Sequence, residues 1–419
     1  VNTAWTSPSS VTQSCRSCGD RLEQVLVDLG MSPLCQTVIR PEAAEVGEVF
    51  YPLRAMVCQT CWLVQVGDYV APQQIFDDTY PYFASYSDSW LAHARAYVEA
   101  MVERLGLDAD SRVVEVGSND GYMLQYMVQR GIPSLGVDPT ANTAAAAREK
   151  GVDTRVDFFG LSVARELVAD GWQADLVAGK NVMAQVPDLR DFVAGLAHLV
   201  APTGTVTIEF PHLMTMIDGR EFDTIYHEHF SYFSLVAVQD VYARHGLTVT
   251  DVEELPTHGG SLRVYAQRTD GNPVVAPSVD ALLARERAAG VDTPAYYEGY
   301  ADAVAKVRHD LVSFLEQARQ DGLHVVGYGA PGKGNTLLNH AAIRSDLLNY
   351  LVDRSPAKHG HLAPGSRIPI LHPDVLAETR PDVILVMPWN LREEISAQLE
   401  YTREWGARLM VAIPELTTL

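Results

Sequence analysis

The densest group of reactive side chains in this 419-residue sequence is Tyr226-His227-Glu228-His229. Histidine titrates near neutrality, and an adjacent carboxylate such as Glu228 fixes its tautomer and raises its basicity. Two histidines one residue apart are not the helical i, i+4 pair of a zinc protease. Removal of a carbon-bound proton beside a ketone suits the stretch better than metal binding, with a tyrosine to hydrogen-bond the developing enolate oxygen; the alternative is a satisfied polar loop. More phenols crowd residues 77–87, where Tyr80, Tyr82 and Tyr86 either pack a turn or form a lid facing a substrate. A phenol donates or accepts a proton while shedding water.

A carbanion needs an electrophile, and a glycine loop offers a place for one. Val113–Val116 reads as a buried strand, followed by Gly117, Gly121 and a helix over 122–130. The pattern Glu115-x-Gly117-x-x-x-Gly121 is wider than the Gly-x-Gly-x-x-Gly of a dinucleotide loop. A wide loop carrying Glu115 and Asn119 fits S-adenosylmethionine (SAM), which is cationic, hydroxyl-rich and without phosphate. A second strand, 135–137, ends in Asp138, an acid suited to two ribose hydroxyls. Asp157 and Phe158 follow, either to hold an adenine or as an amphipathic edge with core phenylalanines. A strand over 174–179 brings Asn181 and Gln185 to the carboxyl edge of the sheet, where α/β folds hold ligands. Helices are expected at 88–105, 140–149 and 189–199, and a strand at 204–210. Residues 257–264 read as a glycine turn into a strand, whose Arg263 either faces an anion or is solvated.

Two Cys-x-x-Cys pairs, Cys15/Cys18 and Cys58/Cys61, supply the four thiolates of a structural zinc site. Their separation exceeds the common ribbon spacing and calls for an inserted strand. Disulfides are the alternative, disfavoured in a cytoplasmic chain. Cys35 is left over as a small core or loop residue.

A second loop, Gly327-Tyr328-Gly329-Ala330-Pro331-Gly332-Lys333-Gly334-Asn335, lies between a strand and a helix over 336–342. Asp353 ends the strand that follows, about 20 residues on, which completes a dinucleotide fingerprint. The helix N-terminus and Lys333 favour a diphosphate, from a nicotinamide dinucleotide or a sugar nucleotide; a purely structural domain that closes the cleft is the alternative. Asn335, Lys358 and Asn390 fall in the same loops at the same sheet edge. Trp389 suits the core.

Net charge is −21, which argues against a nucleic-acid partner. Apolar residues make up 47% of the chain, enough for sizeable cores, yet no run is long enough to span a membrane. The first residues lack a signal-peptide pattern, so a cytoplasmic, monomeric protein is expected.

Taken together, the four cysteines, Val114-Glu115-Val116-Gly117-Ser118-Asn119-Asp120-Gly121, Tyr226-His227-Glu228-His229-Phe230 and His258-Gly259-Gly260-Ser261-Leu262-Arg263 resemble a known family. It is the sugar C-methyltransferases of antibiotic biosynthesis, which place a methyl at C3 of dTDP-4-keto-2,6-dideoxyhexoses, as on the route to mycarose. The resemblance covers nearly the whole chain. It implies an α/β protein with a zinc-binding domain at 1–72, a class I Rossmann-like methyltransferase domain at 73–275 and a Rossmann-like domain at 276–419 that helps bind the sugar nucleotide. It also implies His229 as general base, Glu228 as its assistant, and Tyr226 and Tyr80 lining the substrate, with Tyr82 and Tyr86 near by. Gln185 departs from the histidine expected after Asn181-x-x-Ala184; glutamine can bond a sugar oxygen but cannot relay a proton. One branch of the family, on the mithramycin pathway, also reduces a keto-sugar. The departure and the second glycine loop therefore keep open an NADPH-dependent 4-ketoreductase, alone or as a second activity. A protein that merely bound adenosyl ligands would not need the base.

Overall fold

Val113–Val116, the run leading into the first glycine loop, is a strand buried at all four positions. The computed structural model describes residues 14–76, 80 and 82–419; residues 77–79 and 81 of the tyrosine-rich segment, and the N-terminal residues 1–13, lie outside the described residues. Around that strand, seven strands lie in the order Leu247–Leu255, Ser261–Arg268, Val200–Pro211, Ala174–Lys180, Val113–Val116, Ser134–Asp138, Asp153–Val156. Ser261–Arg268 is antiparallel to both neighbours, and the remaining pairs are parallel. Short, Val-rich strands buried on both faces are what a parallel sheet under helices requires. The order reverses between Val113–Val116 and Ala174–Lys180, so a ligand crevice is expected beyond their carboxyl ends.

The N-terminal sheet is antiparallel: Gln24–Ser32, Tyr51–Val57, Val64–Val66 and, from far along the chain, Ser231–Tyr232. The last pairing holds the segment after His229. Phe230 donates its N–H to Ala184 O (2.7 Å) and accepts from Val66 N (3.1 Å). The candidate base is thereby fixed between two domains.

The C-terminal sheet runs Ile370–Leu371, Leu351–Val352, Val325–Tyr328, Val383–Val386, Arg408–Val411, with Thr417–Thr418 as an antiparallel edge. Its core is continuous with that of the N-terminal sheet: Leu26, Leu53 and Val64 pack in one cluster with Leu311, Leu315 and Leu337. Pro277–Ala289 buries Val279, Leu282 and Leu283 in the central core instead.

Some elements differ from expectation. The helix after the first loop is regular only over Leu124–Val128, because Gly121 at φ +75 delays its start. The helix after the second loop starts earlier, at Gly332–His340. The polar stretch 294–322 forms two helices, Pro294–Tyr297 and Tyr300–Gln320, parted at Gly299, whose φ of +79 no helix continues through. Among the described residues no helix is long and apolar enough to cross a membrane.

Candidate active site

A cleft with about 240 Å³ of free volume opens at the carboxyl edge of the central sheet. Gly117, Asp138, Asn181, Gln185, Tyr226, His229 and His258 face it from the central domain, Gln36 from the N-terminal domain and Lys333 from the C-terminal domain.

The glycine loop forms one wall. Gly117 has φ +69, and a Cβ there would sit 2.8 Å from a Val182 methyl, so only glycine keeps the wall clear. Asn119 donates its backbone N–H to Asp138 Oδ2 (2.8 Å), while its side chain accepts from Ala84 N (2.8 Å) and donates to Tyr82 O (3.1 Å). Asp138 Oδ1 takes the Thr140 N–H (3.0 Å) and the Thr140 and Thr143 hydroxyls. Asp157, held by Arg155 at 2.9 Å, and Phe158 complete the far end.

Two expected cofactor residues lie off this wall. Gly121 packs the turn, with Val152 and Ala147 side chains 3.1 and 3.2 Å from where its Cβ would be. Glu115 sits beneath the loop, fully buried, and neither carboxylate oxygen has a hydrogen-bond partner among the described residues. Burial pushes its carboxyl up to about 8, against the pull of Lys180. Lys180 itself is paired with Glu209 at 2.8 Å. The wall thus offers acids and amides without a free cation, and a latent counter-charge behind them. SAM fits that donor set, whereas a phosphate would be repelled by it.

Opposite stands the base. Residues 226–229 form a turn closed by His229 N–H to Tyr226 O (2.9 Å). A turn brings its end residues together and sends its corner residues outward. Accordingly Tyr226 OH meets His229 Nε2 at 3.0 Å, and both face the cleft. The corner residues go elsewhere: His227 Nε2 to Pro52 O (3.2 Å), and Glu228 Oε2 to Cys35 Sγ (3.4 Å). The expectation that Glu228 assists His229 is therefore corrected; the phenol of Tyr226 is the imidazole's partner. Burial pushes His229 down to about 3, with the charges of His258 and Lys333 adding to the effect. Burial pushes the Tyr226 phenol up.

Tyr80 is buried on the cleft wall, and Tyr82 stands at its rim. Tyr86 does not reach it: 75% exposed, it stacks on Phe83 at 5.4 Å, turned out by the short 3-10 turn Ala84–Tyr86. Arg263 also faces no ligand. It lies between Glu209 and Glu253 on the two neighbouring strands and bonds both, at 2.8 and 2.6 Å.

The second glycine loop is filled by protein. A Cβ on Gly332 would meet Cys35 Sγ and Gln36 Nε2 at 2.9 Å, and one on Gly329 would meet Pro388 at 2.7 Å. Asp353 accepts from Ala330 N (2.7 Å) and Ser355 N (2.8 Å). Lys358 bonds Ala330 O at 2.9 Å, and Asn335 bonds Cys35 O at 2.8 Å. Lys358 thus closes the loop on itself and Asn335 ties it to the N-terminal domain, which corrects the assignment of both to substrate. Lys333 alone of this set reaches the cleft; its Nζ donates to Asn390 Oδ1 (2.7 Å), so Asn390 stands behind it.

The four cysteines converge, with their Sγ atoms within 4.8 Å of one another and all thiols free. Around one zinc at ~2.3 Å, sulfurs stand about 3.8 Å apart. The pairs Cys15–Cys61 and Cys18–Cys58, at 3.4 Å, fit that geometry, so a zinc ion would be held by all four, closed to substrate.

Comparison with known proteins agrees with this geometry. Residues 15–76 match a zinc binding domain family, 90–252 a methyltransferase domain family and 256–414 a family described as the C-methyltransferase C-terminal domain. The C-methyltransferase NovU of Streptomyces niveus is 37% identical over 401 residues, 96% of this chain and 95% of that protein. The chain belongs to the C-methyltransferase family. It is a SAM-dependent C-methyltransferase built on an α/β fold with an N-terminal zinc-binding domain. A ubiquinone biosynthesis O-methyltransferase of Bordetella avium is 28% identical over 111 residues, 26% of this chain and 46% of that protein. The solved magnesium protoporphyrin IX methyltransferase of Synechocystis, with S-adenosylhomocysteine bound, aligns at 15% identity and TM-score 0.34, covering 42% of this chain and 83% of that one.

Several residues of this C-methyltransferase cleft were given no role by the sequence. Trp90 and Tyr122 line it with rings 6.0 Å apart, and Trp90 meets His258 edge-on at 5.1 Å. His258, at φ +57, accepts from Asn181 Nδ2 at 2.9 Å, and burial pushes it down to about 4. The glycines beside His258 mark a turn, and that was the one available hint.

Proposed function

We propose that this C-methyltransferase acts on a dTDP-4-keto-2,6-dideoxyhexose at C3, in deoxysugar assembly for an antibiotic. The observation that supports this is the Tyr226–His229 pair facing the same cleft as the SAM-type loop. Methylating carbon requires a C–H made acidic by a neighbouring ketone and a base to remove the proton. His229 is neutral at working pH because burial holds its titration near 3, so Nε2 has a lone pair to offer. Tyr226 shares that nitrogen, and the proton leaving carbon comes to rest on the imidazole. Tyr80 and Gln185, on the same wall, suit the hydroxyl and carbonyl oxygens of the sugar. When bound, SAM supplies the electrophilic methyl group. Enclosure by three domains keeps out water that would reprotonate the enolate.

The test is methyl incorporation from labelled SAM into the dTDP-keto-sugar. His229→Ala is expected to lower the rate by about 10²–10⁴-fold with SAM affinity intact. An unchanged rate would remove His229 from the mechanism, and turnover with other ketones but not this sugar would move the substrate.

A further inference from the structure

Proton removal beside a ketone leaves negative charge on the ketone oxygen, and that charge needs a partner. The cleft offers few. Lys180 is engaged by Glu209 at 2.8 Å, and Arg263 lies between Glu209 and Glu253. His229 is already the proton's destination, and His258 Nε2 is taken by Asn181. Lys333 is different. It is the cleft's contribution from the C-terminal domain, carried on the first turn of Gly332–His340. Its Nζ spends one donor on Asn390 Oδ1 (2.7 Å) and lies 4.5 Å from the Trp389 ring centroid. Among the described residues no carboxylate is within salt-bridge distance of it. An ammonium has three donors, so two remain.

We propose that the Lys333 ammonium receives the substrate's ketone oxygen as the adjacent carbon loses its proton, which makes Lys333 a catalytic residue for enolate formation and not a ligand of the diphosphate. The inference rests on the keto-sugar reading above. The step balances: the C–H bond breaks and its proton goes to the His229–Tyr226 pair, the electron pair moves to the oxygen facing Lys333, and it returns to carbon as the carbon–methyl bond forms. A fixed cation at the site of developing charge, with water excluded, is the arrangement that lowers such a barrier most.

The surroundings of Lys333 are built for that duty. Trp389 Nε1 donates to Asp223 Oδ2 (2.8 Å), and the other oxygen of Asp223 is buried without a partner among the described residues. Glu221 stands beside the turn at Gly259, where a Cβ would come 2.6 Å from its Oε1. Burial opposes the ammonium, while both carboxyls support it by charge at a distance. The balance leaves Lys333 below the ordinary lysine range. A desolvated cation makes a strong hydrogen bond to an oxyanion, and an ion pair with a carboxylate would have neutralised it. The second glycine loop, already filled by Cys35 and Gln36, gives no diphosphate cradle for Lys333 to serve.

The experiment uses the intact enzyme with S-adenosylhomocysteine in place of SAM and follows solvent deuterium entering C3 of the dTDP-keto-sugar by NMR. Methylation kinetics and calorimetric dTDP binding are measured in parallel. Lys333→Met is expected to lower exchange and kcat by about 10²–10³-fold, with KM and dTDP affinity within about threefold. Wild-type kcat should fall on the alkaline side below the ordinary lysine range, and that limb should vanish in Lys333→Met. Exchange at the wild-type rate in Lys333→Met overturns the proposal, and so does a parallel loss of dTDP affinity, which would make Lys333 a diphosphate ligand. If Lys333→Met does not fold, Lys333→Gln, which is polar but uncharged, decides: a wild-type exchange rate there is equally fatal. Absence of exchange by the wild-type enzyme itself would sink the keto-sugar reading, and this inference with it; wild-type exchange that survives in the variants sinks this inference alone.

Discussion

Tyr226 and His229 show how a turn converts residue types into chemistry. The four-residue stretch was legible as a base because of its composition. Which carboxyl or phenol would serve it was not, because that depends on the turn sending Glu228 toward Cys35, 193 positions away in sequence. The imidazole that results is neutral over an unusual range. With His229 held near 3 and His258 near 4, the pH–rate profile should be flat from pH 8 down to about 5, without the limb near 6.5 that a solvated histidine gives. A clear acid limb at 6–7 would show that the working base is elsewhere. Stability behaves differently from rate. Above 6.5 both states keep these imidazoles neutral; below it only the unfolded chain takes up their protons, so the folded state loses ground as pH falls from 6.5 toward 4. His229→Gln should flatten that slope by about one proton's worth, read as the pH dependence of the urea midpoint between pH 4.5 and 7.

The two glycine loops sit at equivalent points of two Rossmann-like sheets, each after the first strand and each tied by a backbone N–H to an acid at the next strand's end: Asn119 to Asp138, and Ala330 to Asp353. Strands, glycines and acids were readable in both because those signals are local. What fills the space in front of each loop was not, since it comes from distant chain. The first loop faces an open cleft; the second faces Cys35 and Gln36. Arg263, Asn335 and Lys358 were misjudged for the same reason, as their partners lie on neighbouring strands, in another domain and in another loop of the same sheet edge respectively. The four cysteines were readable, because two ligand pairs declare themselves by spacing alone. The loops should respond differently to one added methyl. Gly117→Ala strains a left-handed backbone and drives a methyl into Val182, and should weaken S-adenosylhomocysteine binding at least about tenfold in calorimetry. Gly332→Ala drives a methyl into the domain interface and should lower the melting temperature, with cofactor affinity within about twofold. Equal binding losses in the two variants would mean that the second loop also holds the cofactor.

At the scale of the whole molecule, the zinc-binding domain is a structural half of the C-terminal domain. Its strands share one apolar core with the helices Tyr300–Gln320 and Gly332–His340, Trp62 stacks on Tyr297 at 6.3 Å with rings 5° from parallel, and Asn335 reaches Cys35 O. The same sheet clamps the base, because Ser231–Tyr232 pairs with Val64–Val66. Four thiolates on one zinc would hold Cys15–Cys18 against Cys58–Cys61 and so fix where the sheet begins. Removing the metal should therefore be felt far from it. Chelation, or Cys58→Ser, is expected to raise amide hydrogen exchange in 300–320 and 332–340 as well as in 24–66, and to abolish methyl transfer while leaving the strands at 113–116 and 134–138 protected. Exchange that rises only within 14–66 would mean that the shared core holds the sheet without zinc, and that the metal pins nothing beyond its own loops.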